Sequence, residues 1–377
     1  MFSRSFSLTC LLVAVSFAQT AKRPLNHKDY DGWRTMAGQH LSADGKFLAY
    51  AMFPEEVDGE LVVRNLVTGK DSHFPARPQP AATTTEEGPP PEPRATTIAF
   101  SSDSRFVAFS VFPPKADTDK ARKEKKTAEQ MPKDSITIVE LSSGKSATVE
   151  RVKRFAMPEK AAGYLAYQKE APEKPANAPD GAKPPGGEVK DQQGGRRGRG
   201  GAAGREPEFG ADLILRSLAD GAERTFTDVA EFHLTDDGKQ LVYAVAAHDT
   251  ANNGVFVATP GSNDAPTTVL DGKGKYSKLT FDENQAQMVF LSDRDEAGAK
   301  PPKWKIYRWD RKAPAAEMVS NAAAGLEKGF AISDNGTLTF SHDGARLYFG
   351  VAIPAPEVKT DDAADACTEE LQGGGQQ

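Results

Sequence analysis

The chain has 377 residues, 38% of them hydrophobic and 27% charged, enough for two ordinary domains or one large repeat domain with a sizeable core. Its 33 Gly and 26 Pro residues predict long segments outside any core. A net charge of −6 argues against a nucleic-acid binder, which presents a basic surface.

The first residues read as an export signal. Arg4 supplies the positive start, Phe6 to Phe17 the apolar stretch, and Ser16-Phe17-Ala18 the small residues that a signal peptidase needs, so cleavage is expected after Ala18. The apolar run is too short for a permanent membrane span. Ser7-Leu8-Thr9 before Cys10 fits a lipoprotein site poorly. Only Cys367 then remains in the mature chain, so packing rather than a disulfide must stabilise the fold, in the periplasm or outside the cell.

After a lead-in over 19–38, a repeat begins. LSADGKFLAYAM from Leu41, FSSDSRFVAFSV from Phe100, LTDDGKQLVYAV from Leu234, FDENQAQMVFLS from Phe281 and FSHDGARLYFGV from Phe340 align. Each joins an apolar residue, a polar turn and an alternating strand, which is a β-hairpin; where Asp-Gly is present it supplies the positive-φ turn. The turn positions are taken as Asp44, Asp103, Glu159, Asp237, Glu283 and Asp343, with FAMPEKAAGYLAYQ from Phe155 as a weaker copy. A second hairpin follows each of the first five: from Glu60, Ser135, Asp212, Gly254 and Trp304. Two hairpins make a four-stranded antiparallel unit, and its repetition predicts an all-β propeller over 39–353, with about five blades plus the opening hairpin of a sixth.

Three low-hydrophobicity insertions are expected to be disordered surface loops, at 75–93, 113–132 and 171–209. The interval from Glu159 to Asp237 shrinks to one blade's length once 171–209 is removed. The second insertion is Lys-rich with a helical lean (Lys115, Lys120, Arg122, Lys123, Lys125, Lys126), which reads as an exposed helical face. Gly194 to Gly201 has the look of an RNA-binding Arg/Gly segment, but its loop is close to charge balance and reads as solvated chain. The tail, 354–377, is expected to be disordered.

No catalytic, cofactor-binding or metal-ligating residue is assigned, and no cofactor is implied. His27, His40, His73, His233, His248 and His342 show no metal-ligand spacing, and Asp236-Asp237 and Asp282-Glu283 read as capped turns rather than calcium loops. Trp304, Tyr307 and Trp309 are expected to pack between blades, and Arg294 to anchor its own loop.

From His27-Lys28-Asp29-Tyr30-Asp31-Gly32-Trp33-Arg34 to about Gly350, the sequence resembles the propeller of the prolyl oligopeptidase family of serine peptidases, particularly its acylaminoacyl-peptidase-like and dipeptidyl-peptidase-like bacterial members. GELVVRNLVTGK, MPKDSITIVEL after the Lys-rich tract, FGADLILRSLADGAERTF and FLSDRD carry the likeness, in that order. The resemblance implies a segment that gates and positions peptides for an α/β-hydrolase domain, and rings of seven or eight blades. No Gly-x-Ser-x-Gly elbow occurs in this sequence, so the hydrolase is expected to be missing from this chain and no catalytic residue carries over. Periplasmic Tol-type propellers use the same Asp-Gly hairpin, which leaves a protein-binding scaffold as the alternative. A propeller lyase or glycosidase would need clustered carboxylates or histidines on inner strands, and no convincing set is legible.

Overall fold

The computed structural model describes Asn26 and residues 33–54, 58–76, 96–127, 130–170 and 209–355. The signal segment, most of the lead-in, nearly all of 171–209 and the tail beyond Ala355 lie outside them. Among the described residues, no helix is long and apolar enough to cross a membrane.

Five four-stranded antiparallel blades follow one another along the chain. Blade 1 is β1 (Arg34–Leu41), β2 (Phe47–Pro54), β3 (Gly59–Asn65) and β4 (Asp71–Ala76). Blade 2 is β5 (Ile98–Phe100), β6 (Phe106–Val111), β7 (Ser135–Glu140) and β8 (Ser146–Glu150). Blade 3 takes β9 (Val152–Ala156), β10 (Tyr164–Lys169), β11 (Ala211–Ser217) and the first half of β12 (Glu223–Leu234). The second half of β12 opens blade 4, followed by β13 (Leu241–Val245), β14 (Gly254–Ala258) and β15 (Thr267–Asp271). Blade 5 is β16 (Tyr276–Phe281), β17 (Met288–Ser292), β18 (Lys305–Trp309) and β19 (Ala316–Val319). A sixth, smaller unit pairs β20 (Ala331–Ile332) with β23 (Val351–Ala352), and β21 (Thr339–Phe340) with β22 (Leu347–Tyr348). The all-β propeller read from the hairpins is therefore the fold.

Alternation explains how the blades stack, because residues two apart face the same neighbour. In β2, Ala49, Ala51 and Phe53 enter a core with Leu61, Val63, Val107 and Phe109, which joins blades 1 and 2. Ile136, Ile138, Leu165 and Tyr167 join blades 2 and 3. Leu213, Leu215, Leu241 and Tyr243 join blades 3 and 4. Val255, Val257, Met288 and Phe290 join blades 4 and 5, and Leu291, Trp304, Ile306, Phe340 and Leu347 join blade 5 to the sixth unit. Trp304, Tyr307 and Trp309 pack between blades as expected, and they follow the same rule. Trp304 and Ile306 face forward, while Tyr307 and Trp309 face back to blade 4. Burying one such side chain contributes about 1.5–3 kcal/mol, so these five cores dominate stability.

Several expected boundaries shift. The propeller begins at Arg34 rather than 39, because β1 runs through the end of the lead-in and carries a bulge at Gly38, whose φ of 61° suits glycine. Pro75 and Ala76 belong to β4, not to an insertion. The insertion at 113–132 is not disordered throughout, since Lys115–Lys123 forms a helix, α1. It buries Thr118 and Ala121, and the Asp58 carboxylate of blade 1 accepts the Lys115 backbone N–H at 3.2 Å. An acidic group at a helix N-terminus is favourable, and that anchor gives order to a tract whose basic side chains stay exposed.

Candidate functional site

Each blade runs as four antiparallel strands, so its connections alternate between two faces of the molecule. The turns between first and second strands and between third and fourth strands share one face, here the turn face. The loops between second and third strands, and the links to the next blade, share the other. The described residues that flank the three long insertions therefore lie on this second face, together with α1 and the short 3₁₀ turns Thr250–Asn252 and Arg294–Glu296.

The turn face is tightly tied. Ser42 Oγ donates to Asp44 Oδ1 at 2.7 Å and accepts the Phe47 N–H at 2.9 Å. Ser101 with Asp103, Thr235 with Asp237 and Ser341 with Asp343 repeat this clasp. It holds the Asp44 carboxyl down at about 2, first through the Ser42 hydroxyl and then through the Lys46 N–H. In blade 5 the equivalent of Asp44 is Asn284, not Glu283 as the spacing suggested, and the buried Asp282 replaces the hydroxyl by accepting the Gln287 N–H at 3.0 Å. The glycine of the turn becomes Ser104 (φ 56°) and Gln285 (φ 51°) in blades 2 and 5. Both of these residues reach the preceding blade. Ser104 Oγ accepts the Asp44 N–H, and Gln285 binds both the Asp236 N–H and its carboxylate.

Toward the insertion face, the first strands of neighbouring blades lie side by side, β1 by β5 and β12 by β16. A relay of side chains ties them. Arg154 of β9 donates to Gln168 Oε1 at 2.9 Å and to Ala230 O at 3.4 Å, with its guanidinium over the Phe232 ring. Glu231, at the bulge of β12, accepts the Lys278 and Leu279 N–H groups at 2.7 and 3.1 Å. Lys278, at the matching bulge of β16, donates Nζ to Asp334 O and Gly336 O of the sixth unit. Burial pushes the Glu231 carboxyl up and lowers the Arg154 guanidinium. The Asp134 carboxyl, pressed by burial and by Glu170, is raised to about 6.

Beside this relay is a cavity of about 280 Å³ lined by Lys153, Gln168, Glu170, Phe209, Val229 and Ala230. Phe209 stacks on His248 at 3.6 Å between centroids, which places one end of the third insertion against blade 4. Gly210 lies so close to β12 that a Cβ there would meet Asp228 O at 2.0 Å.

The histidines are scattered. His73 meets Glu60, His233 contacts Gln285 under the Phe281 ring, His342 meets Glu283, and His40 lies on β1; His27 is outside the described residues. Burial lowers the His233 pKa. Arg294 pairs with the adjacent Asp295 at 3.2 Å, the loop-anchoring role expected of it. Among the described residues, no group of three His, Cys, Asp or Glu could hold a metal ion. The charged groups of the relay are held mainly by backbone partners, Glu231 by the Lys278 and Leu279 N–H groups and Lys278 by the Asp334 and Gly336 carbonyls. Sequence reasoning missed Arg154, Glu231 and Lys278. Aligning the hairpins would have put Glu231 and Lys278 at one register position, three residues before the apolar anchors Leu234 and Phe281.

The fold and this face together define a β-propeller of four-stranded blades. No protein-family profile matches the chain. No curated protein matches it either. Among solved structures it is similar to a prolyl endopeptidase at 14% identity and a TM-score of 0.40, covering 81% of this chain and 38% of that one. It is also similar to the β-propeller domain of the Trilobed protease from Pyrococcus furiosus, at 10% identity and a TM-score of 0.38, covering 85% and 78%. TolB from Acinetobacter baumannii matches at 11% identity and a TM-score of 0.32, covering 76% and 55%. The chain thus spans well under half the length of that prolyl endopeptidase.

Proposed function

We propose that this chain is the non-catalytic propeller of a prolyl-oligopeptidase-type serine peptidase, exported after cleavage near Ala18, which gates and positions peptides for a hydrolase domain. The observation that carries this reading is that the described ends of all three insertions, α1 and the inner-strand relay share a single face, opposite a face closed by short clasped turns. One elaborated face on a rigid scaffold is the arrangement expected of a propeller that covers a partner domain. The order of GELVVRNLVTGK, MPKDSITIVEL and FGADLILRSLADGAERTF supports the same family.

The test uses the purified chain with and without a separately expressed hydrolase domain of such a peptidase. Alone, the chain should turn over no chromogenic peptide ester. Added to the hydrolase, it should slow cleavage of long peptides more than short ones. Turnover by the chain alone that a serine-directed reagent blocks would overturn the reading, and so would equal effects on long and short substrates.

A further inference from the structure

On the turn face, polar bonds join consecutive blades at every seam but one. Ser104 of blade 2 accepts the Asp44 N–H of blade 1 at 3.0 Å. The Lys160 N–H of blade 3 donates to Asp236 O of blade 4 at 2.8 Å, and Arg224 donates to Ser262 O and Asp264 O at 2.5 and 2.6 Å. Arg311 of blade 5 donates to Gln240 Oε1 of blade 4 at 2.7 Å, beside the Gln285 bonds to Asp236. Gln287 Nε2 of blade 5 donates to Gly344 O of the sixth unit at 2.8 Å. Between blades 2 and 3, among the described residues, no hydrogen bond or ion pair crosses on this face. In its place lies a cavity of about 250 Å³, with Phe106, Ile138 and Lys145 of blade 2 on one wall and Arg216, Leu218 and Asp220 of blade 3 on the other.

The sequence supplies the cause. Blade 3 opens with the copy of the repeat that lacks Asp-Gly, and its Lys160 N–H turns forward to blade 4. Nothing in that turn reaches back as Ser104 and Gln285 do. The polar groups around the cavity are committed within their own blades: Glu140 accepts the Ser143 hydroxyl at 2.6 Å, Asp220 accepts the Ala222 N–H at 3.1 Å, and Arg216 donates to Glu223 at 2.7 Å. What joins the two blades is the apolar core around Ile136, Ile138, Leu165 and Tyr167, and apolar attraction is non-directional. On the insertion face the Val152 N–H donates to Asp134 O at 2.9 Å. There one residue, Arg151 with a φ of 59°, separates β8 from β9. Those two strands belong to different sheets, whereas β12 carries one sheet unbroken from blade 3 into blade 4.

We infer that the propeller hinges at the seam between blades 2 and 3, with its pivot at Arg151 on the insertion face and its opening on the turn face. Blades 1 and 2 move as one body, tied by Asp44 to Ser104 and by Asp58 to the Lys115 N–H. Blades 3 to 5 and the sixth unit move as the other. α1 belongs to the first body, and the stacked Phe209 and His248 to the second, so the motion changes the spacing across the insertion face. This inference does not depend on the peptidase reading.

Double electron–electron resonance on the full chain tests it, in a background of Cys10→Ser and Cys367→Ser. Nitroxide labels go on exposed turn residues. Ser142→Cys with Ala219→Cys spans the seam between blades 2 and 3. Val67→Cys with Ser142→Cys spans blades 1 and 2, and Ala219→Cys with Asn263→Cys spans blades 3 and 4. Each control shares one label with the test pair, so local motion of a turn broadens both. The distance distribution of the test pair should be about twofold wider than that of either control, and equal widths overturn the inference. Arg151→Gly, which frees the pivot's backbone, should widen the test pair further and leave both controls unchanged. A test pair that this variant leaves unaltered puts the pivot elsewhere and overturns the assignment.

Discussion

The two faces of this propeller solve one problem in opposite ways. On the turn face, each first hairpin closes within a few residues through a hydroxyl–carboxylate clasp, and neighbouring turns bind one another through Ser104 and Gln285. On the insertion face, connections range from the single residues Arg151 and Asp228, both with positive φ, to segments of tens of residues. Length is tolerated there because those connections are not committed to the hydrogen bonds that tie one turn to the next on the opposite face. The lesson is that the ties between blades set where a connection must stay short, and composition only reports where it has grown.

The sharpest challenge to this contrast is the point where the tolerant face is least tolerant. Gly210→Val drives a side chain into the Asp228 and Val229 backbone, and should cost about 3 kcal/mol or more in urea unfolding, because a packed main chain cannot give way. If the variant melts like the parent, the convergence of strands at Asp228 is not rigid. Next, Gln285→Ala removes the clasp between blades 4 and 5 and leaves the Asp236 N–H without its partner, with an expected loss of about 1–2 kcal/mol. Asp236→Ala in the same background would then add less than it does alone.

A pH series separates the faces further. The Asp134 carboxyl, raised to about 6 by burial and Glu170, binds its proton more tightly in the folded protein than in the unfolded chain. Its contribution to stability is present at pH 4 and lost as pH rises through about 6. Asp134→Asn should therefore have a higher urea midpoint than the parent at pH 8, with the gap closing toward pH 4. The smallest effect belongs to the third insertion. Replacing 174–205 with a short Gly-Ser loop should raise stability by about 1 kcal/mol at most, since each halving of a loop's length saves about 0.6 kcal/mol. A large loss would show that those residues pack on the propeller.

The fold was legible because its signal is local and repeated. A hydroxyl, an Asp and a positive-φ residue within five positions, followed by alternating apolar residues, announce a hairpin wherever they recur. Less regular copies were read less accurately. Glu283 was placed at a turn position that Asn284 holds, since the buried Asp282 had taken over the hydroxyl's part. The helical lean of the Lys-rich tract is legible, but the anchor that orders α1 is not, because Asp58 lies in another blade, 57 positions earlier. Nor did composition distinguish Arg154, Glu231 and Lys278 from any other charged surface residue. Their roles arise from bulges that turn side chains toward the next blade, and a bulge depends on pairing that a single segment does not disclose.

β12 has a consequence of its own. Its first half pairs with β11 and its second with β13, so blades 3 and 4 share one continuous hydrogen-bonded ribbon of seven strands, whereas the other blades are separate sheets. One blade of this pair cannot open without bending the backbone of its neighbour at Asp228. Amide protons in the strands β9 to β15 should therefore exchange as a single cooperative block, and opening should start in the separate blades and move toward that block.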